Sequence, residues 1–233
     1  MSTSASSPVY TLPTVAEVKE GVGPYPLSRD FVDFNRAQSS TSPLERYLGY
    51  TLSPKIPRDK KFLKLDQVTE MELVGLDVDI NQVGPKEWLP NNLSMRERSV
   101  FRRCTRGSWG TFDIVNVRLI GFVIEGDPAP VLRNLTKLLK AGGYLQWRLK
   151  ETFEVEGLQD VAADWQTGKR HTALAMHWYK PHIHMVVSEK IRTTNAEKAA
   201  HIDALIQGSI IETHKGAMFA HTRVIVTGKK PEA

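Results

Sequence analysis

The hydrophobic pattern in the middle of the chain predicts a parallel β-α-β unit. FDIVNVRL (112–119) is a short apolar run typical of a buried strand, and residues 144–147 return as a second strand. Between the strands, Asp127 fits a helix N-cap, Pro128 fits the first helical position, and the glycines at 142–143 fit the helix end. The helix has one apolar stripe, formed by Val131, Leu132, Leu135, Leu138 and Leu139. Such a unit crosses over with a right hand.

Other segments extend this unit to an α/β domain. MELVGLDVD (71–79) is short, apolar and ends in acids, as a buried parallel strand does, with Asp77 at its carboxyl end. Residues 195–207 predict a helix, and residues 217–228 predict a final strand. Residues 148–185 are mixed and contain aromatic side chains, which favours a cap over the sheet edge. We therefore expect a Rossmann-like, mostly parallel sheet with helices on both faces and a small cap.

Composition and length fit one soluble domain. The chain has 233 residues, with 41% hydrophobic and 24% charged residues. We expect a flexible N-terminal arm at 1–20 and one α/β domain at 21–233, in which 148–207 form the cap and a helical region. The sequence has no apolar run of eighteen residues, no signal-peptide pattern and a single cysteine, Cys104. This predicts a cytoplasmic protein without a membrane span, and a nuclear location is also compatible.

The positive charge does not by itself predict a nucleic-acid partner. The net charge is +5, and the densest basic block is formed by Arg96, Arg98, Arg102, Arg103 and Arg106. Glu97 dilutes this block, and Phe101 is its one interleaved aromatic residue. We interpret it as a solvated surface and expect no nucleic acid.

Several segments of the chain, in one order, resemble a known family. They are YPLSRD (25–30), LSPKIP (52–57), ELVGLDVD (72–79), WLPNN (88–92), FDIVNVRL (112–119), NLTKLLKAGGYLQW (134–147) and VTGKKP (226–231). Together they resemble the fungal methyltransferases of secondary metabolism that use S-adenosylmethionine (SAM), the LaeA-like group. The resemblance implies a class I methyltransferase sheet with SAM across the carboxyl ends of its strands. It also implies methylation of a small natural product as the reaction.

The chain departs from the family where the cofactor is held. The family has an acidic, glycine-rich motif between its counterparts of 52–57 and 72–79, where this chain has only RDKKFLKLDQVTEM. If KFLKL (61–65) were the first strand, five residues would join it to the next strand, and a parallel crossover needs about a dozen. The missing turn would supply backbone N–H groups close to the cofactor, which requires glycine. We therefore expect a sheet that is incomplete at its first strand.

Candidate site residues lie at the predicted strand ends. The resemblance implies that Gly75, Asp77 and Asn116 contact SAM, with Asp77 accepting hydrogen bonds from ribose hydroxyls. An equally good explanation is that Asp77 or Asp79 caps the next turn. Asn116 and Arg118 are predicted at the carboxyl end of the central strand, where ligands bind in open α/β sheets. Arg118 would orient an acidic substrate, or it would pair with Asp77 or Asp113 as part of the scaffold.

The cap offers further candidates. His177 and His182 fit acid–base chemistry on a substrate held under the cap. His182 and His184 would share one face of a strand, but no carboxylate or cysteine with ligand-like spacing accompanies them, so we expect no metal. Trp147 and Trp178 are candidates for the wall of a substrate pocket, and core packing explains Trp147 equally well.

Three functions remain open from the sequence. The first is SAM-dependent methylation of a small natural product. The second is SAM-independent chemistry of the cyclase or isomerase type, in which the former cofactor cleft holds a substrate. The third is non-catalytic, as a partner of an intact methyltransferase, in a homo- or hetero-oligomer formed through exposed sheet edges.

Overall fold

The computed structural model describes most of the chain from residue 50 onward. The described ranges are 50–58, 71–102, 107, 109–118, 120, 123–124, 126–167, 170–218 and 222–232. The predicted N-terminal arm, the segment 61–65, rejected as a first strand from the sequence, and Cys104 lie outside these ranges.

The described chain contains six strands and four α-helices. The strands are β1 (Leu73–Asp77), β2 (Leu93–Glu97), β3 (Phe112–Asn116), β4 (Leu139–Trp147), β5 (Gln159–Thr167) and β6 (Thr222–Lys229). The α-helices are α1 (Ala129–Leu138), α2 (Lys150–Val155), α3 (Arg170–Ile191) and α4 (Ala196–His214). Two short 3-10 helices, Ile80–Val83 and Lys86–Trp88, lie between β1 and β2.

The described strands form two sheets. β1 and β2 pair in parallel, and the second sheet has the order β3-β4-β6-β5. In that sheet β3 and β4 are parallel, and β6 is antiparallel to both of its neighbours. The α/β, Rossmann-like class predicted from the sequence is confirmed, with the β3-α1-β4 crossover at its centre.

The core lies on one face of the four-stranded sheet. The apolar stripe of α1 packs with α2 against Leu145, Trp147 and Val226 of this face. Leu132 of α1 and Phe153 of α2 are both completely buried. Sequence periodicity predicted this stripe because a helix covering a sheet must be apolar along one side.

The predicted end of the first helix was wrong. α1 ends at Leu138, and the next residue already belongs to β4, so the two glycines lie inside a strand. Gly142 has a φ of +73°, and a Cβ atom on Gly143 would lie 2.9 Å from the Asp113 carbonyl oxygen. Glycine is therefore required where β4 bends closely past β3, at an irregularity in the strand register. The N-cap prediction was off by one residue: Pro128 is the cap, and the Asp127 carboxylate accepts from the Ala129 N–H at 2.9 Å.

The region predicted as a cap contains a sheet strand. β5 pairs with β6 along most of its length and forms the edge of the four-stranded sheet. Residues 159–167 therefore belong to the sheet, and the sequence did not predict this strand. Its pattern misleads because the strand has few large apolar residues and one of them, Trp165, is 65% exposed, as expected at a solvated edge.

The two long helices form a hairpin between β5 and β6. They pack against each other, and Asn195, one of two N-caps expected from the sequence together with Thr194, accepts from the Lys198 N–H at 2.9 Å. Ser188 of α3 is buried and donates to the Asp203 carboxylate of α4 at 2.6 Å. No helix of the described residues combines the length and apolar character that a membrane crossing requires.

Candidate functional site

A row of polar side chains crosses the four-stranded sheet near the carboxyl ends of β3 and β4. Asn116 pairs with Gln146 in register, and Gln146 pairs with Thr227, so the three side chains share one face. Asp164 of β5 lies on the same face, opposite Ile225. Within each strand, the residues next to these positions point to the opposite face, and Leu145, Trp147 and Val226 among them belong to the apolar core. The sheet is thus apolar on one face and polar at one end of the other.

Gln146 is the centre of this row, which we call the polar row (Asn116, Gln146, Thr227 and Asp164). Its side-chain oxygen accepts from the Ser53 backbone N–H at 2.7 Å. Its Nε2 donates to the Thr51 carbonyl at 2.9 Å and to Asn116 Oδ1 at 3.0 Å. Gln146 and Thr227 are both buried. A buried amide is tolerated here because both its hydrogens and its oxygen have partners.

Residues 50–58 lie across the polar row, and we call them the strap. Besides its contacts with Gln146, the strap reaches β5 through Tyr50, whose hydroxyl donates to the Asp164 carboxylate. Lys55 Nζ donates to the Ala163 carbonyl at 3.3 Å. Gln166 Nε2 donates to both Asp164 oxygens at 3.0 Å and orients the carboxylate from its own strand. One segment of the chain therefore occupies the edge where ligands bind in open α/β sheets.

The contact between Tyr50 and Asp164 shifts the pKa of both groups. The hydrogen bond from Tyr50, helped by Gln166 and by the charge of Lys55, lowers the pKa of Asp164 below its ordinary value of 3.8. Burial, followed by the bond to the carboxylate, raises the pKa of Tyr50 above 10.0. Near neutral pH the pair is therefore a neutral phenol bonded to an ionised carboxylate. Because the phenol hydrogen is committed to Asp164, the phenol oxygen can act toward a further group only as an acceptor.

The residues predicted to contact SAM lie on two different sheets. Asp77 is exposed at the end of β1, where one carboxylate oxygen accepts from the Asp79 N–H at 3.1 Å, as the turn-cap interpretation expects. A Cβ atom on Gly75 would lie 2.1 Å from Met95 Sδ, so this glycine accommodates a side chain of the neighbouring strand. Asn116 ends β3, where its amide oxygen accepts from Gln146.

The predicted catalytic residues lie beyond the end of β3 and on helix α3. Arg118 is half-buried and lies two residues beyond the end of β3. His177 of α3 is only 2% exposed, and its Nε2 lies 2.6 Å from the Thr213 hydroxyl of α4. Thr213 donates its own hydrogen to the Ser209 carbonyl, so the His177 Nε2–H is the donor of this bond. His177 thereby holds α3 against α4 in the helix hairpin.

The predicted shared face of His182 and His184 was wrong. Both residues lie on helix α3, where two successive steps rotate a side chain by about 200° about the helix axis, so the two histidines point to nearly opposite sides. The shared face was expected for a strand, but the chain is helical here, and the helix continues through Pro181. Trp147 is in the core, which supports its packing interpretation, and Trp178 of α3 is 41% exposed.

Sequence reasoning did not select Tyr50, Gln146 or Asp164 as site residues. Gln146 had a detectable signal, because it is the polar residue in an otherwise apolar and aromatic strand end, YLQW. Tyr50 and Asp164 are 114 residues apart in the chain, and no local pattern links them.

Comparison with known proteins found similar solved structures but no related sequence family. No protein-family model and no curated protein matches the chain. The cyclase SpnF is 13% identical over 70% of this chain and 67% of the cyclase, with a TM-score of 0.41. Phosphoethanolamine N-methyltransferase 2 of Haemonchus contortus, in complex with phosphomonomethylethanolamine and S-adenosylhomocysteine, is 15% identical, with a TM-score of 0.39. The same enzyme in complex with S-adenosyl-L-methionine is 16% identical, with a TM-score of 0.39.

This chain spans less than half of that N-methyltransferase: the match covers 69% of this chain and 44% of the enzyme. The similar structures have the class I SAM-dependent methyltransferase fold, and similarity at this level of identity concerns the fold alone.

Proposed function

We propose that the protein is a LaeA-like enzyme of fungal secondary metabolism that acts on a small natural product, nominally by methyl transfer from SAM. The observation that carries the proposal is the polar row at the carboxyl ends of the parallel strands β3 and β4. Polar side chains on a sheet face that is otherwise expected to be apolar mark the edge where open α/β sheets bind ligands. The family resemblance supplies the nominal reaction.

The described residues fit SAM only in part. Asp77 is exposed, and its carboxylate keeps an oxygen beyond the one used by the Asp79 N–H, so it would hold ribose hydroxyls. Gly75 does not fit a backbone cradle, because Met95 fills the space beside its Cα. When bound, SAM supplies an electrophilic methyl group, and the protein contributes mainly the position of the substrate.

The residues of this chain have different roles in the proposal. Arg118, half-buried two residues beyond Asn116, would orient an acidic group of the substrate. His182 is half-buried and is the candidate for proton transfer, whereas the ring nitrogen of His177 is already used to brace α3 against α4. The exposed Trp178 would cover an apolar part of the substrate.

Titration calorimetry with SAM and with S-adenosylhomocysteine tests the cofactor. We expect saturable binding, weakened about tenfold in the Asp77→Asn variant because one ribose acceptor is lost. Asp160→Asn is the matched control, since Asp160 is exposed on β5 and has a φ of +50° that asparagine also adopts. No heat and no thermal shift at millimolar concentrations of either compound would exclude SAM as the cofactor.

The strap gives specific support to a SAM-independent alternative. Its backbone occupies both polar groups of the Gln146 amide, so the edge is shaped by the chain itself. A cyclase or isomerase would use this edge for its substrate alone. Deletion of the gene should then lead to accumulation of an uncyclised but fully methylated intermediate, and unchanged metabolite output would contradict this alternative.

A further inference from the structure

The strap is bonded to the sheet through the side chains of Gln146, Tyr50 and Lys55. We propose that residues 50–58 are a displaceable strap, that its backbone stands in for a lactam-bearing ligand on Gln146, and that the Tyr50–Asp164 contact is its latch. The ligand class deepens the proposed function and rests on it. The latch rests on the contacts of the strap alone.

The strap is anchored differently from its surroundings. Residues 50–58 contain no strand or helix, and within them the Ile56 N–H donates to the Ser53 carbonyl at 3.1 Å. Among residues 50–58, Ser53 and Ile56 are buried, and the others are half-buried or exposed. By contrast, β4 and β6 are held by a continuous ladder and by the core. A segment with few buried residues and no ladder opens locally at a lower free energy than the sheet.

Tyr50 and Asp164 form the charged contact between the strap and β5. A phenol donating to an ionised carboxylate makes a stronger bond than two neutral groups do. Lys55 adds a weaker bond to the adjacent Ala163 carbonyl. Both contacts lie on the edge strand, so their loss weakens the hold of β5 on the strap without changing a residue of the hydrophobic core.

Opening of the strap would expose a defined recognition pattern. Gln146 would lose an N–H donor from Ser53 and a carbonyl acceptor from Thr51, while its bond to Asn116 stays in place. A ligand that replaces the strap must present an N–H beside a C=O, because an unpaired buried amide costs free energy. A lactam has this pattern, because its cis amide holds the N–H and the C=O on one edge, whereas an ordinary trans amide points them in opposite directions. We therefore assign a lactam-bearing natural product as the substrate class.

Hydrogen exchange of the full chain tests the latch. The Ser53 amide reports directly, because its hydrogen is bonded to Gln146. We expect Tyr50→Phe and Asp164→Asn each to speed exchange of this amide about tenfold, since one charge-assisted bond is lost. Tyr179→Phe on α3 and Asp160→Asn on β5 are the matched controls and should leave it unchanged. Unchanged Ser53 exchange in both latch variants would overturn the proposal.

Titration with the lactam probe cyclo(Gly-Gly) tests the ligand class. We expect Tyr50→Phe to bind this probe about tenfold more tightly than the wild-type protein, because less free energy is spent on opening the strap. A latch variant that exchanges faster but binds the probe no better would overturn the assigned ligand class. S-adenosylhomocysteine is titrated in parallel: its failure to bind counts against methyl transfer and leaves the exchange result intact.

Discussion

At the scale of single residues, the hydrogen-bond inventory of Gln146 explains why a polar side chain is kept under the strap. Its two N–H hydrogens bond to Thr51 and Asn116, and its oxygen accepts from Ser53. A buried amide with any of these bonds missing would destabilise the fold by about 1–3 kcal/mol. Gln146 therefore holds the strap in position, and the strap in turn supplies the hydrogen-bond partners that the buried Gln146 amide needs. The Asp164 contact differs because it depends on ionisation.

Asp164 makes the stability of the wild-type protein depend on pH in a defined window. Its pKa is lowered in the folded protein from an ordinary value of 3.8, so its contribution is fully present above that pH. The contribution is lost as the pH falls through the lower, folded pKa. The difference in unfolding free energy between wild type and Asp164→Asn should therefore be constant near pH 6 and shrink below about pH 4.

Urea denaturation at a series of pH values measures this difference. The Asp160→Asn variant, on the same strand, provides the comparison. A difference that grows on acidification would show that the Asp164 carboxylate does not stabilise the folded state.

At the scale of elements, sequence patterns predicted those segments whose periodicity is set by one buried side. The stripe of α1 and the apolar run of β3 face the core, and both were predicted at nearly the correct residues. The sequence did not give helix α3, because its apolar residues are spread around the helix and Pro181 interrupts the pattern. The sequence did not predict β5 because an edge strand is partly exposed to solvent and therefore lacks the apolar run of a buried strand.

The site was less predictable than the fold. Sequence placed Asn116 correctly at a strand end, since the carboxyl end of a parallel strand can be read from the chain. The Tyr50–Asp164 contact depends on how the strap returns to β5, and only tertiary structure provides that information.

The same substitution should have opposite effects in two elements. Gly143→Ala in β4 places a Cβ atom against the carbonyl oxygens of Asp113 and Lys140, and we expect it to destabilise the protein by about 1–3 kcal/mol. Gly208→Ala in α4 meets no atom within 4 Å and should stabilise it by about 0.5–1 kcal/mol through helix propensity. Thermal unfolding of both variants measures whether stability falls in Gly143→Ala and rises in Gly208→Ala. A neutral Gly143→Ala would show that β4 can move away from β3 at this point.

At the scale of the whole molecule, the described strands form two sheets that share one core. Leu76 of β1 packs against the cluster built on the four-stranded sheet, together with Val100 and Phe101 beyond β2. The two-stranded sheet is therefore not an independent unit, because two strands alone are marginally stable in water and need such a contact. Cooperative unfolding of both sheets follows from this shared cluster.

Leu76→Ala tests this coupling. The side chain is half-buried, so we expect about 1–3 kcal/mol of destabilisation, with a single transition in which both sheets unfold together. Leu205→Ala on α4 is the control, because Leu205 is 57% exposed and its loss should change stability by less than about 0.5 kcal/mol. Urea unfolding followed by circular dichroism measures the overall transition. Hydrogen exchange of the β1 and β4 amides measures the unfolding of each sheet separately. If the amides of β1 became exchangeable at low urea while those of β4 kept their full protection, the shared core would not couple the sheets, and a ligand bound at the end of β1 could not stabilise the polar row.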